Sequence, residues 1–410
     1  MNKKDVFEIK NRFKKTGCSF TKMCGCYVNS AKEILVNFNE TFLNLEEDEF
    51  YKYLEIAKKT LSGTMGNNLI ELHFPTQEET DGKKQQFLMG LRQSKLKNEE
   101  LLNTFYQLII ESYNYVGNYL ILIFHDAYDV ITKTTDNTKI DESEEVYEYL
   151  LVAICPVTLS KPGLGYLENE NKIGARSRDW IVEAPESGFI FPAFTQRSAD
   201  IHSTMFYAKN ALEPHRELMD LVLGCPVKAT ADEQRKTFQN LIKNAINDSE
   251  KSEKVFSEIQ ESLNQIMEEQ VTYDDTQPEP VLLTKETVRE ILIENELPEE
   301  VSTKIEASYE ETFSDEPPVI DYLIDKKILA ENEKRKVNKV LIEQIHKLEE
   351  QLVEKSKQPI ADTNYDVVLH VKSEKMDQIK TQMIDGKKCI IIPMDENEHS
   401  KVNGVEDFMF

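Results

Sequence analysis

Arginines and aromatic residues are concentrated in one stretch of the chain, between residues 176 and 202. Guanidinium groups bind phosphates and carboxylates through paired hydrogen bonds, and aromatic rings offer a surface for stacking. This composition predicts a site for a nucleotide, an RNA base or an acidic peptide. The alternative is structural, with aromatic residues filling a β-core and arginines paired to acidic residues of the same chain. The candidate ligand-binding residues are Arg176, Arg178, Trp180, Phe194 and Arg197.

Two pairs of histidine and aspartate could supply acid–base chemistry. His125 and Asp126 directly follow an apolar run, and Asp200 and His202 close the arginine-rich stretch. A histidine can act as a general base that a carboxylate orients, provided that the two groups converge on one pocket with the arginines. The candidate catalytic residues are therefore His125, Asp126, Asp200 and His202. Polar residues at a strand end that only bond the following loop would give the same pattern.

Three cysteines lie close together, at Cys18, Cys24 and Cys26. They could ligate zinc with a distant histidine such as His73, or Cys24 and Cys26 could form a redox pair, although the spacing differs from that of known zinc knuckles. A buried apolar role for the thiols is the other reading. The sequence has no glycine-rich phosphate loop, no nucleophile elbow and no His-Glu-x-x-His motif. It therefore predicts no cofactor and leaves open whether the chain is an enzyme.

The elements that must position these residues are mostly strands. The apolar runs at residues 119–124 and 149–157 predict central strands covered on both faces. Helical patterns precede and separate the strands, which predicts an α+β class with a mixed β-sheet core and flanking helices. Near the C-terminus, Asp385 and Gly386 predict a hairpin turn between two short strands, and a further strand is predicted at residues 366–371.

Charge is distributed unevenly along the chain, whose net charge is −25. Residues 268–325 hold 18 acidic residues against 3 basic ones, whereas residues 1–16 hold 6 basic residues against 2 acidic ones. Such segregation predicts a chain built in pieces. The predicted pieces are an α+β core domain at 1–212, a helical segment at 213–275, an acidic helical arm at 281–358 and a small C-terminal βαββ unit at 363–410.

The acidic arm includes a short coiled-coil-like helix. Leu341, Ile345, Leu348 and Leu352 recur at steps of 4, 3 and 4, which is the spacing of a coiled-coil seam. The seam covers only two heptads, so the same stripe could dock on this chain instead of a partner.

Hydropathy argues against a membrane location. The longest apolar run, at residues 119–124, is far shorter than the roughly 20 residues that cross a bilayer. The basic N-terminal segment has no apolar stretch behind it, which argues against a signal peptide. We therefore expect a cytoplasmic protein with reduced cysteines and no membrane partner.

Several longer strings resemble one family. Three of them are Met-Cys-Gly-Cys-Tyr-Val-Asn at residues 23–29, His-Asp-Ala-Tyr-Asp-Val at 125–130 and Ile-Cys-Pro-Val-Thr-Leu-Ser-Lys-Pro-Gly-Leu at 154–164. The others lie at residues 59–64, 116–122 and 191–202. These strings resemble a bacterial family of acidic cytosolic proteins of about this length, known only as a domain of unknown function. The resemblance implies a cytosolic setting and brings no activity, cofactor or site residue.

The sequence thus favours a non-catalytic binding or regulatory (adaptor) protein that captures a protein partner through the acidic helical arm. One alternative is an enzyme acting on a phosphorylated or nucleotide substrate through the arginine, histidine and aspartate residues. Another is an RNA- or ribosome-associated factor that uses the basic N-terminus, whose binding would weaken steeply with salt.

Overall fold

The computed structural model describes residues 1–76, 82–133, 139–246, 248–273, 280–314, 316–357, 371, 373–394, 401–402 and 405–406. The chain divides into two compact units, Met1–Glu333 and Lys334–Phe410.

The helices and strands have the following bounds. The α-helices are α1 (Lys3–Arg12), α2 (Glu47–Thr60), α3 (Lys83–Gln93), α4 (Glu99–Ser112), α5 (Ala231–Ala245), α6 (Ser249–Tyr273), α7 (Lys285–Glu294), α8 (Glu299–Phe313), α9 (Ile320–Leu323) and α10 (Lys326–Lys357). The strands are β1 (Phe20–Val28), β2 (Ile34–Glu40), β3 (Leu69–His73), β4 (Asn118–Lys133), β5 (Lys139–Leu159), β6 (Leu164–Leu167), β7 (Lys172–Ala175), β8 (Trp180–Val182), β9 (Ser187–Phe191), β10 (Ala193–Thr195), β11 (Ser198–Asp200), β12 (Ser203–Ala208), β13 (Lys380–Ile384), β14 (Lys387–Ile391), β15 (Lys401–Val402) and β16 (Val405–Glu406).

An eight-stranded sheet forms the centre of the first unit, in the order β2-β1-β4-β5-β9-β12-β3, with β8 paired to the end of β5. The named strand pairs of this sheet are antiparallel. The long strands β4 and β5 contain the two apolar runs, and their side chains in those runs are almost completely buried. The α+β class and the two central strands predicted from sequence are therefore confirmed.

Helices cover both faces of this sheet. Successive side chains of a strand point to opposite faces, so each central strand contributes to two cores. Ile121 and Ile123 of β4 belong to a core that α3 and α4 close together with a π-helical turn at Leu218–Leu223. Leu122 and Phe124 belong to a second core that α1 and α2 close. We call these the α3 face and the α2 face of the sheet.

The helices after the sheet share a separate apolar core. It is formed by side chains of α5, α6, α7, α8 and α9, among which Ile242, Ile291, Ile305 and Leu323 are almost fully buried. The acidic helices α7 and α8 therefore pack by apolar faces within this core, and their acidic faces, together with Ile293 of α7, are left to solvent. The division of the chain into the four predicted pieces stays a prediction.

Among the described residues, the second unit contains most of α10 and two pairs of short antiparallel strands. Strands β13 and β14 pair antiparallel around Asp385 and Gly386, which both have positive φ angles, as a two-residue hairpin turn requires. This predicted hairpin is confirmed. The strand predicted at residues 366–371 lies outside the described residues, except for Val371, which has no regular structure.

Candidate functional site

His125 is buried on the α3 face of the sheet, near the middle of β4. Its Nε2 lies 2.9 Å from Oε1 of Glu148 on the neighbouring strand, and its Nδ1 lies 2.6 Å from the hydroxyl of Thr21. Burial lowers the pKa of His125 and outweighs the opposing effect of the Glu148 carboxylate. The neutral ring therefore donates from Nε2 to Glu148 and accepts at Nδ1 from Thr21.

Asp126, the next residue, lies on the opposite face of the sheet. Its carboxylate accepts a hydrogen bond of 2.7 Å from the hydroxyl of Tyr149 and another of 2.9 Å from the backbone N–H of Ala127. Both Asp126 and Tyr149 are buried in the α2 face. Because His125 and Asp126 point away from each other, the aspartate does not orient the histidine. The carboxylate that bonds the His125 ring is that of Glu148.

Asp200 and His202 lie in and after β11. The carboxylate of Asp200 accepts hydrogen bonds from the Ser203 hydroxyl and from the backbone N–H of His202. Ser203 in turn lies 3.2 Å from Nδ1 of His73. The His202 ring is exposed, so the structure joins Asp200 to Ser203 and His73 and not to the His202 ring.

Arg176, Arg178 and Trp180 lie together in an exposed stretch that ends in β8. The guanidinium of Arg178 donates from Nε to the backbone carbonyl of Ser160 over 2.7 Å. Trp180 pairs with Leu159 at the end of β5 and keeps about half of its surface exposed. These three residues are accessible to a partner.

Phe194 and Arg197 lie elsewhere, in the hairpin of β10 and β11. Phe194 is completely buried in the α2-face core against Tyr147, with 4.6 Å between ring centroids. Its burial leaves no surface for a ligand. Arg197 Nη1 donates to Glu8 of α1 over 2.7 Å, and the same glutamate accepts a hydrogen bond from Tyr128. An acidic residue of the same chain thus pairs with this arginine.

The sequence-predicted residues do not converge on one pocket. His125 pairs with Leu150 on β5, whereas Trp180 pairs with Leu159, nine residues further along the strand, which corresponds to about 30 Å. Arg197 bonds to α1 on the α2 face, opposite to His125. Sequence alone missed Glu148, Thr21 and Tyr149 as partners, because pairing between distant strands leaves no local signal.

The three clustered cysteines are also divided between the two faces. Cys24 and Cys26 are buried in the α3-face core, while Cys18 packs against the α2-face core. Burial raises the pKa of Cys24 to about 11 and that of Cys26 to about 12, so both are protonated thiols at neutral pH. Among the described residues, no group of three or more His, Cys, Asp and Glu side chains could hold a metal ion.

The basic N-terminal segment contacts its own chain at several points. The guanidinium of Arg12 stacks 3.7 Å from the ring centroid of Tyr128, and Lys15 pairs with Glu47 at 2.5 Å. Lys3, Lys4 and Lys14 remain exposed.

Helix α10 carries the largest series of exposed apolar side chains in a single described helix. Val337, Leu341, Ile345 and Leu348 recur at steps of 4, 4 and 3, so they share one face, and each is 49–59% exposed. We call these four residues the apolar stripe. Val337 extends the predicted seam by one turn, while Leu352 lies beyond the side chains that the structure describes.

Charge is segregated along the same helix. Residues 334–339 hold Lys334, Arg335, Lys336 and Lys339 with no acidic residue, whereas residues 343–350 hold Glu343, Glu349 and Glu350 against one lysine. The apolar stripe thus runs along a helix whose first part is basic and whose second part is acidic. This is the composition of a helix that pairs with another helix.

An antiparallel sheet with helices on both faces, followed by a helical core, defines an α+β protein. The chain matches the sequence model of a family described as a domain of unknown function, DUF4317, over residues 1–405, and it belongs to that family. None of the curated proteins compared with it matches the chain.

In the part of the chain that the structure describes, no helix has both the length and the apolar composition needed to span a bilayer.

Proposed function

We propose that this chain is a non-catalytic binding (adaptor) protein whose helix α10 pairs with a helix of a protein partner. The observation that carries the proposal is the exposure of the apolar stripe. Four apolar side chains in register on one face, each about half exposed, are costly to leave in water, and a partner helix would remove them from it.

The charge order of α10 sets the chemistry of the partner. A partner helix needs its own apolar stripe, an acidic segment beside residues 334–339 and a basic segment beside residues 343–350. The short seam supplies limited area, so a stable complex needs further contacts around it. A cytoplasmic setting belongs to the same proposal, and it is supported by the six cysteines, all of which are free thiols in the described structure.

The enzyme alternative has less support, because it requires His125, the arginines and His202 to meet within the length of one ligand. The strand register separates Trp180 and its neighbouring arginines from His125, and Arg197 is on the other face of the sheet. RNA binding through the N-terminus is supported only by the exposed lysines of that segment, which are Lys3, Lys4, Lys14 and Lys15.

A stripe variant tests the proposal. Ile345→Asp places a charge within the stripe, and His346→Asp adds the same charge on the opposite face of the helix. Both positions are exposed, so neither change disturbs a core. We expect wild type and His346→Asp to capture the same protein by affinity purification, and Ile345→Asp to lose it. The purified partner should then bind wild type at least about tenfold more tightly than Ile345→Asp.

Sedimentation of the purified chain completes the test. A monomer that leaves the stripe free for another protein agrees with an adaptor. A stripe-dependent homodimer would contradict the proposal, because the stripe would then be a dimer seam. Equal capture by all three proteins would contradict it as well.

A further inference from the structure

A cleft of about 770 Å³ runs along α2, and none of the predicted site residues lines it. Its wall includes one face of α2, Lys10 of α1, Leu120 at the start of β4 and residues 182–185. The volume falls within the range of roughly 300–1,000 Å³ that small-molecule sites occupy. The cleft is therefore large enough for a ligand.

Three lysines meet at one end of this cleft. Lys58 and Lys59 belong to the last turn of α2, and Lys10 reaches the same place from α1. We call Lys10, Lys58 and Lys59 the lysine group. Lys10 Nζ donates to the Ser62 hydroxyl over 2.6 Å, and this hydroxyl donates to the carbonyl of Lys58, also over 2.6 Å.

Among the described residues, no carboxylate forms an ion pair with any of the three ammonium groups of the lysine group, although Glu55 and Glu183 line the same cleft. This is unusual in a chain with 74 acidic residues against 49 basic ones. Burial lowers the pKa of Lys10, and the charges of Lys59 and Lys58 lower it further. The arrangement thus holds like charges together at a free-energy cost.

The C-terminal dipole of α2 explains only part of this arrangement. Partial negative charge at a helix C-terminus favours Lys58 and Lys59 in the last turn. It does not explain why Lys10, on a different helix, lies near two other cations and bonds a hydroxyl there. An anion among the three would remove the repulsion.

The rest of the cleft is lined by apolar side chains together with the charged residues Lys52, Glu55 and Glu183. Tyr53 and Ile56 lie one turn apart on the same face of α2, and Leu120 lies opposite to them. We call these three residues the apolar wall. Asp48 and Glu49, at the other end of α2, lie about 15 Å from the lysine group and would repel a second anionic group.

We propose that this cleft binds a small organic phosphate. The phosphate lies within the lysine group, and the organic body lies against the apolar wall. A phosphate is favoured over a carboxylate because its double charge and three oxygens match three separate ammonium donors. The site is independent of the stripe on α10, so it can exist whether or not that helix binds a partner.

Calorimetric titration of the full chain with phenyl phosphate tests the site, with inorganic phosphate and phenol as the two halves of the probe. We expect one phenyl phosphate per chain, bound more tightly than either half. Replacing Lys58 and Lys59 together by Gln should weaken binding at least about tenfold. Replacing the exposed Lys3 and Lys4 by Gln removes the same charge outside the cleft and should leave binding within about twofold.

Lysine acylation followed by mass spectrometry gives a second readout that does not depend on a variant. Phenyl phosphate should slow acylation of the lysine group and leave Lys3 unchanged. Absence of saturable binding, equal binding by the two double variants, or unprotected lysines would each overturn the site. The Lys58→Gln, Lys59→Gln protein should still capture any partner of α10, so failure of the cleft and failure of the adaptor proposal can be told apart.

Discussion

His125 on β4 and Glu148 on β5 are diagonal neighbours on one face of the sheet, with 2.9 Å between the imidazole Nε2 and the carboxylate. The pKa of the histidine is nevertheless lowered, because burial of the ring acts more strongly than the partner. The pair is therefore a neutral imidazole bonded to a carboxylate within the fold.

This relationship predicts an acid-sensitive fold. The histidine titrates near its ordinary pKa of 6.5 when unfolded and below that value when folded, so the unfolded chain binds more protons between the two values. The free energy of unfolding should fall as the pH drops below about 6.5. The slope should be shallower in His125→Gln, as measured by urea denaturation at several pH values. Identical slopes would show that the folded histidine titrates normally.

The buried bond between Tyr149 and Asp126 should contribute measurably to stability. Tyr149→Phe leaves the Asp126 carboxylate with one partner fewer in a buried place, and we expect a loss of about 1–3 kcal/mol in the free energy of unfolding. The control is Tyr166→Phe, whose hydroxyl bonds Asn171 at the surface. A loss equal to that of the control would mean that water replaces the missing hydroxyl.

Gly188 allows α2 to approach the sheet. A Cβ at this position would lie 2.3 Å from the carbonyl oxygen of Val152 and 2.6 Å from Cγ2 of Thr60, the last residue of α2. We expect Gly188→Ala to destabilise the fold by about 1–3 kcal/mol. Gly163→Ala, where a Cβ meets nothing within 4 Å, should be nearly neutral in the same thermal unfolding experiment. Equal melting temperatures would argue against tight packing of α2.

Helix α8 should behave as part of a core although it is strongly acidic. Ile305 is 1% exposed, and Ile305→Ala should cost about 2–5 kcal/mol through lost burial and the cavity left behind. Leu348 on α10 is 59% exposed, and Leu348→Ala should change the stability by no more than about 0.5 kcal/mol. Similar small changes for both variants, measured by chemical denaturation, would place α8 outside a core.

The cysteines should differ in reactivity. The reactive species is the thiolate, and burial raises the pKa of Cys18 and Cys24 to about 11, that of Cys26 to about 12 and that of Cys155 further. We expect iodoacetamide at pH 8 to modify the partly exposed Cys389 first in the native protein. Mass spectrometry of early time points identifies the site. Early modification of Cys24 and Cys26 would instead support a redox pair.

Local patterns in the sequence were sufficient to predict the central strands, the hairpin at Asp385 and Gly386 and the apolar seam of α10. The two continuous apolar runs predicted the central strands, since only a strand covered on both faces needs no polar alternation. The Asp385-Gly386 pair predicted its hairpin, because both residues accept positive φ at low cost. The seam of α10 was visible as far as Leu341, and the structure adds Val337.

Only the tertiary structure decided which side chains meet. Pairing of β4 with β5 places Glu148 beside His125. Packing of α1 and α2 on the same face of the sheet places Lys10 in one cleft with Lys58 and Lys59. The amino-acid sequence alone determines the local conformations, because hydrophobic periodicity and turn preferences act over a few residues. Contacts between distant residues depend on strand order and on how helices pack against the sheet, and this sequence has no local pattern that encodes either.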